Sequence, residues 1–204
     1  MLDKYLLPVT HVVLKPLVNL CVKYKIRANQ ITVIGFVIGI LSVGFIVNQF
    51  YLMGLICIVV NRIFDGLDGE VARKTKPTQA GAFLDIVLDF IFYQAVVFAF
   101  AFSNPQFTFW AVCLMFSFVG TGTSFLAFSI FAQKNNIKKQ NYPNKSIYYL
   151  TGIAEGTETI LFFMLCCIWP IYFNWFAAVF CLICWQTTIF RIVYGVKQLN
   201  ELDT

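Results

Sequence analysis

Polar and apolar positions divide the chain into long apolar runs joined by short polar connections. Six runs reach or approach the length of a bilayer crossing: Asn29 to Asn48, Tyr51 to Ala72, Gln79 to Ser103, Phe107 to Gln133, Ile147 to Trp169 and Tyr172 to Val193. A backbone in lipid must satisfy its own hydrogen bonds, so runs of this length predict membrane-spanning helices. Ahead of them, Leu6, Val9, Val13, Leu17 and Leu20 recur at helical spacing, while Lys4, His11 and Lys15 gather on another face. That pattern predicts an amphipathic helix lying in the membrane interface over residues 1–27, either a topological anchor or a grip on a lipid substrate. Basic residues at both of its ends, with Pro8 and Pro16 between, count against a cleaved signal peptide. The expected fold is therefore an all-α polytopic membrane protein. It is one domain over 1–204, with the interfacial helix, a six-helix bundle at 29–193 and a cytoplasmic tail at 194–204.

Composition narrows the class further. With 204 residues, 59% hydrophobic and 12% charged, the chain is too apolar for an ordinary soluble domain. Residues 28–60, 90–133 and 159–190 contain no Lys, Arg, Asp or Glu. Lys and Arg collect before the first run, between the second and third, after the fourth and after the sixth. By the positive-inside rule these ends are cytoplasmic, as are both termini, in an integral protein of the bacterial inner (cytoplasmic) membrane. Aromatic residues of the uncharged connections, such as Trp110, Trp169 and Trp175, mark the far interface. Topology and anionic headgroups account for the formal charge of +5, so nucleic acid is not expected as a partner. Seven cysteines fall in apolar surroundings with no histidine spaced to complete a zinc pattern. Cys181 and Cys184 form a C-x-x-C pair, but a thiol buried in lipid is inert.

Against this background one segment stands apart: Asp65-Gly-Leu-Asp68-Gly69-Glu-Val-Ala72-Arg73, seven residues, then Gly81-Ala-Phe-Leu-Asp85-Ile-Val-Leu-Asp89. A charged side chain near the middle of a span costs roughly 2.5–3.5 kcal/mol on insertion scales, so four carboxylates need metal, water or cationic partners. Asp65 and Asp68 are three apart and Asp85 and Asp89 four apart, so each pair projects from one helix face. The short basic connection between them makes the two helices antiparallel neighbours, and the four acids then line one cavity. All-oxygen hard ligands suit Mg²⁺, Mn²⁺ or Ca²⁺, and a two-metal phosphoryl site is the natural reading. Gly69 and Gly81 leave room for a phosphate or flat base, and Arg73 offers a planar cation. The bland alternative is a polar helix contact, with the acids paired to Arg62, Arg73 and Lys74.

These residues match the signature D-x-x-D-G-x-x-A-R, seven or eight residues, G-x-x-x-D-x-x-x-D, and the chain resembles the CDP-alcohol phosphotransferase family. The resemblance implies that Asp65, Asp68, Asp85 and Asp89 hold two divalent ions, Mg²⁺ or Mn²⁺, at the cytoplasmic surface, with Asp89 also the general base. It implies that Gly69, Ala72, Arg73 and Gly81 bind the cytidine diphosphate part of a CDP-diacylglycerol-type donor, with Asn29 and Thr32 nearby. The implied reaction transfers a phosphatidyl group to a small alcohol acceptor in phospholipid biosynthesis, with release of CMP. Homodimers are common in such a family, and the resemblance admits one here.

The acceptor is less legible. Glu155 and Glu158, three apart at the opening of the fifth span, either bind acceptor hydroxyls or an amine, or pair with Arg62 or Arg191. Lys138, with Lys134, Lys139, Lys145 and Arg191, either binds an acceptor phosphate or serves topology alone. Gly120-Thr-Gly122-Thr-Ser124 signals close helix packing or, failing that, an acceptor pocket. A membrane prenyltransferase would need two separated acidic motifs and more spans. An alternative of another class is a non-enzymatic or transport membrane protein using these carboxylates for cations, but no second copy of the acidic pattern supplies the internal repeat expected of a transporter.

Overall fold

A computed structural model describes residues 3–135 and 152–203, and every regular element among them is helical. In order these are α1 (Asp3–Lys23), α2 (Ala28–Val47), α3 (Tyr51–Lys74), α4 (Gln79–Ser103), α5 (Thr108–Lys134), α6 (Gly156–Ile168) and α7 (Phe173–Asp203). Short 3₁₀ turns at Pro105–Phe107 and Pro170–Tyr172 precede α5 and α7. The protein is an all-α membrane protein. Its surface bears out the solvent it faces: Ile171, Trp175 and Leu182 are each more than 70% exposed, as expected of side chains meeting acyl tails rather than water.

The expected count of six spans is matched only in part. Among the described residues, four helical stretches are long and apolar enough to cross a membrane: Ala28–Val47, Gln79–Ser103, Pro105–Lys134 and Pro170–Glu201. Helix α3 has the length, at 24 residues, but carries Arg62, Asp65, Asp68, Glu70, Arg73 and Lys74. Helix α6 has only 13 residues, against the expected run from Ile147 to Trp169. Its late start has a local cause: the Oγ1 of Thr187 on α7 accepts the backbone N–H groups of Ile153 and Ala154 at 3.2 and 3.0 Å, so 152–155 stay outside the helix. Residues 147–151, and with them Lys138, Lys139 and Lys145, lie outside the described residues. The segment expected as a tail, 194–204, is helical as far as Asp203 and continues α7.

Close packing of α2 on α3 depends on small residues. Gly35 faces the Phe64 side chain, Gly39 faces Asn61 and Phe92, and Gly54 faces Ile46, each at a distance that leaves no space for a Cβ. Small residues let transmembrane backbones approach where lipid supplies no hydrophobic drive between helices. The core beyond is aromatic: Phe92, Phe100, Phe163 and Phe173 are fully buried, with Phe100 stacked on Phe173 at 4.7 Å between centroids. Helix α1 buries Leu14, Val18 and Cys21 against Ile31, Leu67 and Val71, while Val13, Leu17 and Leu20 remain exposed. It thus carries two apolar stripes, one packed on the bundle and one left exposed. Asn19 of α1 also accepts a hydrogen bond from Lys74 at the end of α3.

Candidate active site

The acids of α3 and α4 face one another across a gap: the two helices, expected as packed neighbours, share little direct backbone packing, and each packs on α2 instead, so that side chains rather than backbones bridge them. Asp65, Asp68 and Asp85 each direct a carboxylate oxygen to a common point, the three oxygens lying within 4.8 Å of one another. Asp68 is 5% exposed, and its Oδ2 has no hydrogen-bond partner. A buried carboxylate oxygen without a donor is costly unless a cation takes it, and an all-oxygen trio fits a hard divalent ion. The donor set present is therefore suited to a metal. Asp89 belongs to the same cavity but is engaged elsewhere: Arg62 Nη2 donates to its Oδ1 at 2.6 Å and Tyr93 Oη donates to its Oδ2 at 3.2 Å.

These carboxylates open into a cavity of about 1360 Å³. Asn29, Thr32, Gly69, Ala72, Arg73 and Gly81 form part of its lining. Thr78 caps α4, its Oγ1 accepting the Gly81 N–H at 3.0 Å, and a Cβ on Gly81 would lie 2.8 Å from Asn29 Oδ1. Residues far apart in sequence thus meet at one edge. Arg73 folds back over Gly69 and pairs with Glu70 at 2.7 Å, so its guanidinium already has a carboxylate partner.

Other parts of its lining come from Tyr93, Gln94, Thr121, Phe125, Glu155 and Arg191. Arg191 is buried, donates from Nη1 to Thr121 O at 3.0 Å and lies over the Phe125 ring. Glu155 is buried and accepts the Gly152 N–H at 3.1 Å. Glu158, on the first turn of α6, is not among the lining residues. Gly122 accommodates the Phe90 ring and Gly120 faces Thr188, which is the close-packing role for that segment.

Sequence reasoning treated Arg62 only as a candidate partner in a structural contact. In the structure it bridges Asp65, at 3.4 Å, and Asp89 across two helices. Its position three residues before Asp65 inside an apolar run was the available signal.

A helical membrane protein with converging carboxylates at one end of a cavity defines the class. The chain belongs to the CDP-alcohol phosphatidyltransferase family, whose sequence pattern matches residues 25–193. It is accordingly a transferase of substituted phosphate groups. Over its whole length it is similar to the inner membrane protein YnjF of Escherichia coli (strain K12), 45% identical across 100% of this chain and 99% of that one. A shorter stretch, 32% of this chain and 15% of the relative, is 45% identical to the bifunctional IPC transferase and DIPP synthase of Aquifex aeolicus (strain VF5). Another, 37% of this chain and 41% of the relative, is 38% identical to the archaetidylinositol phosphate synthase of Pyrococcus horikoshii.

Proposed function

We propose that this protein transfers a phosphatidyl group from a CDP-diacylglycerol-type lipid to a small alcohol, releasing CMP, with the site and both termini cytoplasmic. The convergence of Asp65, Asp68 and Asp85 within 4.8 Å, with Asp89 beside them, is the observation that supports this reading best. Asp65, Asp68, Asp85 and Asp89 would hold two ions, Mg²⁺ or Mn²⁺, which when bound neutralise the diphosphate and the charge that develops on CMP. Asn29, Thr32, Gly69, Ala72, Arg73 and Gly81 accept the CDP part, the glycines leaving room for its phosphates. Asp89 takes the proton of the acceptor hydroxyl, whose oxygen attacks the lipid-bearing phosphorus as the bond to CMP breaks. Asp89 ends protonated and CMP leaves with the bonding electrons.

The acceptor lies in the part of the cavity where Glu155 can accept from hydroxyls and Arg191 offers a buried cation. Glu158 is given no contact with it. An inositol phosphate heads the acceptor panel, because the Pyrococcus relative is named archaetidylinositol phosphate synthase and Arg191 suits a phosphate. The panel continues with glycerol phosphate, inositol, serine, choline and glycerol.

The test is CMP release from CDP-diacylglycerol by purified protein with Mg²⁺ or Mn²⁺. One acceptor should stand out, and Asp89→Asn should lower its turnover at least about a hundredfold, the lower end of a general base's usual contribution. Turnover that survives Asp89→Asn removes the base assignment, and no Asp89-dependent turnover with any acceptor removes the donor.

A further inference from the structure

Arg62 lies inside the site. Its guanidinium reaches Asp89 on α4 at 2.6 Å and Asp65 on α3 at 3.4 Å. Its Nε and Nη2 also donate to Asn61 Oδ1 at 3.1 and 3.0 Å, and Asn61 is itself fixed by donating to Gly35 O at 2.9 Å. The guanidinium carbon stands 5.5 and 5.6 Å from the ring centroids of Phe92 and Tyr93. A planar cation held on several sides in this way is a built element of the site and not a charge at its rim.

The four carboxylates are therefore divided. Three converge on a common point, and the fourth has one oxygen taken by Arg62 and the other by Tyr93. An ion entering among Asp65, Asp68 and Asp85 meets aimed oxygens. An ion that needs Asp89 meets an occupied oxygen and a like charge beside it.

We propose that Arg62 is a resident counter-cation of Asp89 that competes with metal for its carboxylate, so that two divalent ions bind unequally, the second only as the guanidinium releases Asp89. Arg62 is thus a positioning residue: it ties the two acidic helices together and sets the order of loading. The inference rests on the two-metal reading above.

Binding of Mn²⁺ alone tests it, read from the electron paramagnetic resonance of the free ion. The protein is held in phosphatidylcholine nanodiscs, and empty discs are subtracted. The unsubstituted protein should show one stronger and one weaker ion. Arg62→Gln should tighten the weaker ion by about tenfold or more, through loss of local repulsion and of competition for Asp89, and shift the stronger by much less. Arg62→Lys, which keeps the charge but loses the planar guanidinium fork that spans Asp65, Asp89 and Asn61, should tighten the weaker ion by a smaller factor, and it carries the test if Arg62→Gln does not accumulate. Equal shifts at both ions would make Arg62 a bystander charge. An unchanged or loosened weaker ion would make it a structural tie, and either result overturns the inference while leaving the two-metal reading intact. A single bound ion in the unsubstituted protein overturns both.

Discussion

Gly81 shows how much a missing side chain can do. Its backbone N–H binds the capping Thr78, and a Cβ at this position would press on Asn29 Oδ1 at 2.8 Å and Thr78 Oγ1 at 3.0 Å. Gly81→Ala therefore displaces Asn29 and the first turn of α4 where the donor is proposed to bind. The expected effect is a rise of roughly tenfold in KM for the CDP-lipid, about 1.4 kcal/mol, with a smaller change in kcat. CMP release at varied donor concentration measures it, and an unchanged KM would put Gly81 outside the donor pocket. The residue types needed for this chemistry were legible because they are rare in apolar runs. Their pairing was legible only in outline: Arg62 was one of three candidate cations and takes Asp89 together with Tyr93, while Arg73 turns to Glu70 instead.

At the level of elements, the site is held by α2 packed tightly on α3. A Cβ on Gly39 would lie 2.9 Å from Asn61 Nδ2 and as close to the Phe92 ring, and Asn61 anchors Arg62. Gly39→Val should force the helices apart and break the Asn61 bond to Gly35 O, costing about 1–3 kcal/mol as overpacking does. Gly44, on the same helix, has open space around its Cβ position, so Gly44→Val is the matched control. Thermal unfolding in detergent should show Gly39→Val well below Gly44→Val; equal midpoints would mean the interface yields without cost. Helix bounds within this layer were readable from hydropathy alone. The run from Asn29 to Asn48 is matched by Ala28–Val47, and that from Gln79 to Ser103 is matched residue for residue. Helix α6 was not, because Thr187, more than thirty positions away, takes the N–H groups that would have extended it.

At the scale of the whole molecule, the proposed metal site would couple ion binding to stability. Three buried or half-buried carboxylates in contact repel one another, and any ion that binds the folded protein and not the unfolded chain stabilises it by mass action. At a hundredfold excess over its dissociation constant an ion adds about 2.7 kcal/mol. Mn²⁺ should accordingly raise the unfolding midpoint by about 5 °C or more for a chain of this length, and EDTA should reverse the rise. Asp68→Asn, which removes a charge from the buried trio, should abolish most of the shift. A midpoint indifferent to Mn²⁺ and EDTA would count against metal binding in the folded state.

Local information was enough for the membrane class, for most helix bounds and for the placing of each acid pair on one helix face. Hydropathy, charge placement and helical periodicity all act between near neighbours in the chain, and the acidic motif is itself nearly contiguous. Folding alone supplied the second buried stripe of α1, the truncated α6 and the choice of Arg62, among the cations the sequence offered, as the partner of Asp89. Each of these depends on contacts between separate elements, whose approach is set by the volume and polarity of residues distant in sequence. No periodicity along a single helix encodes that approach.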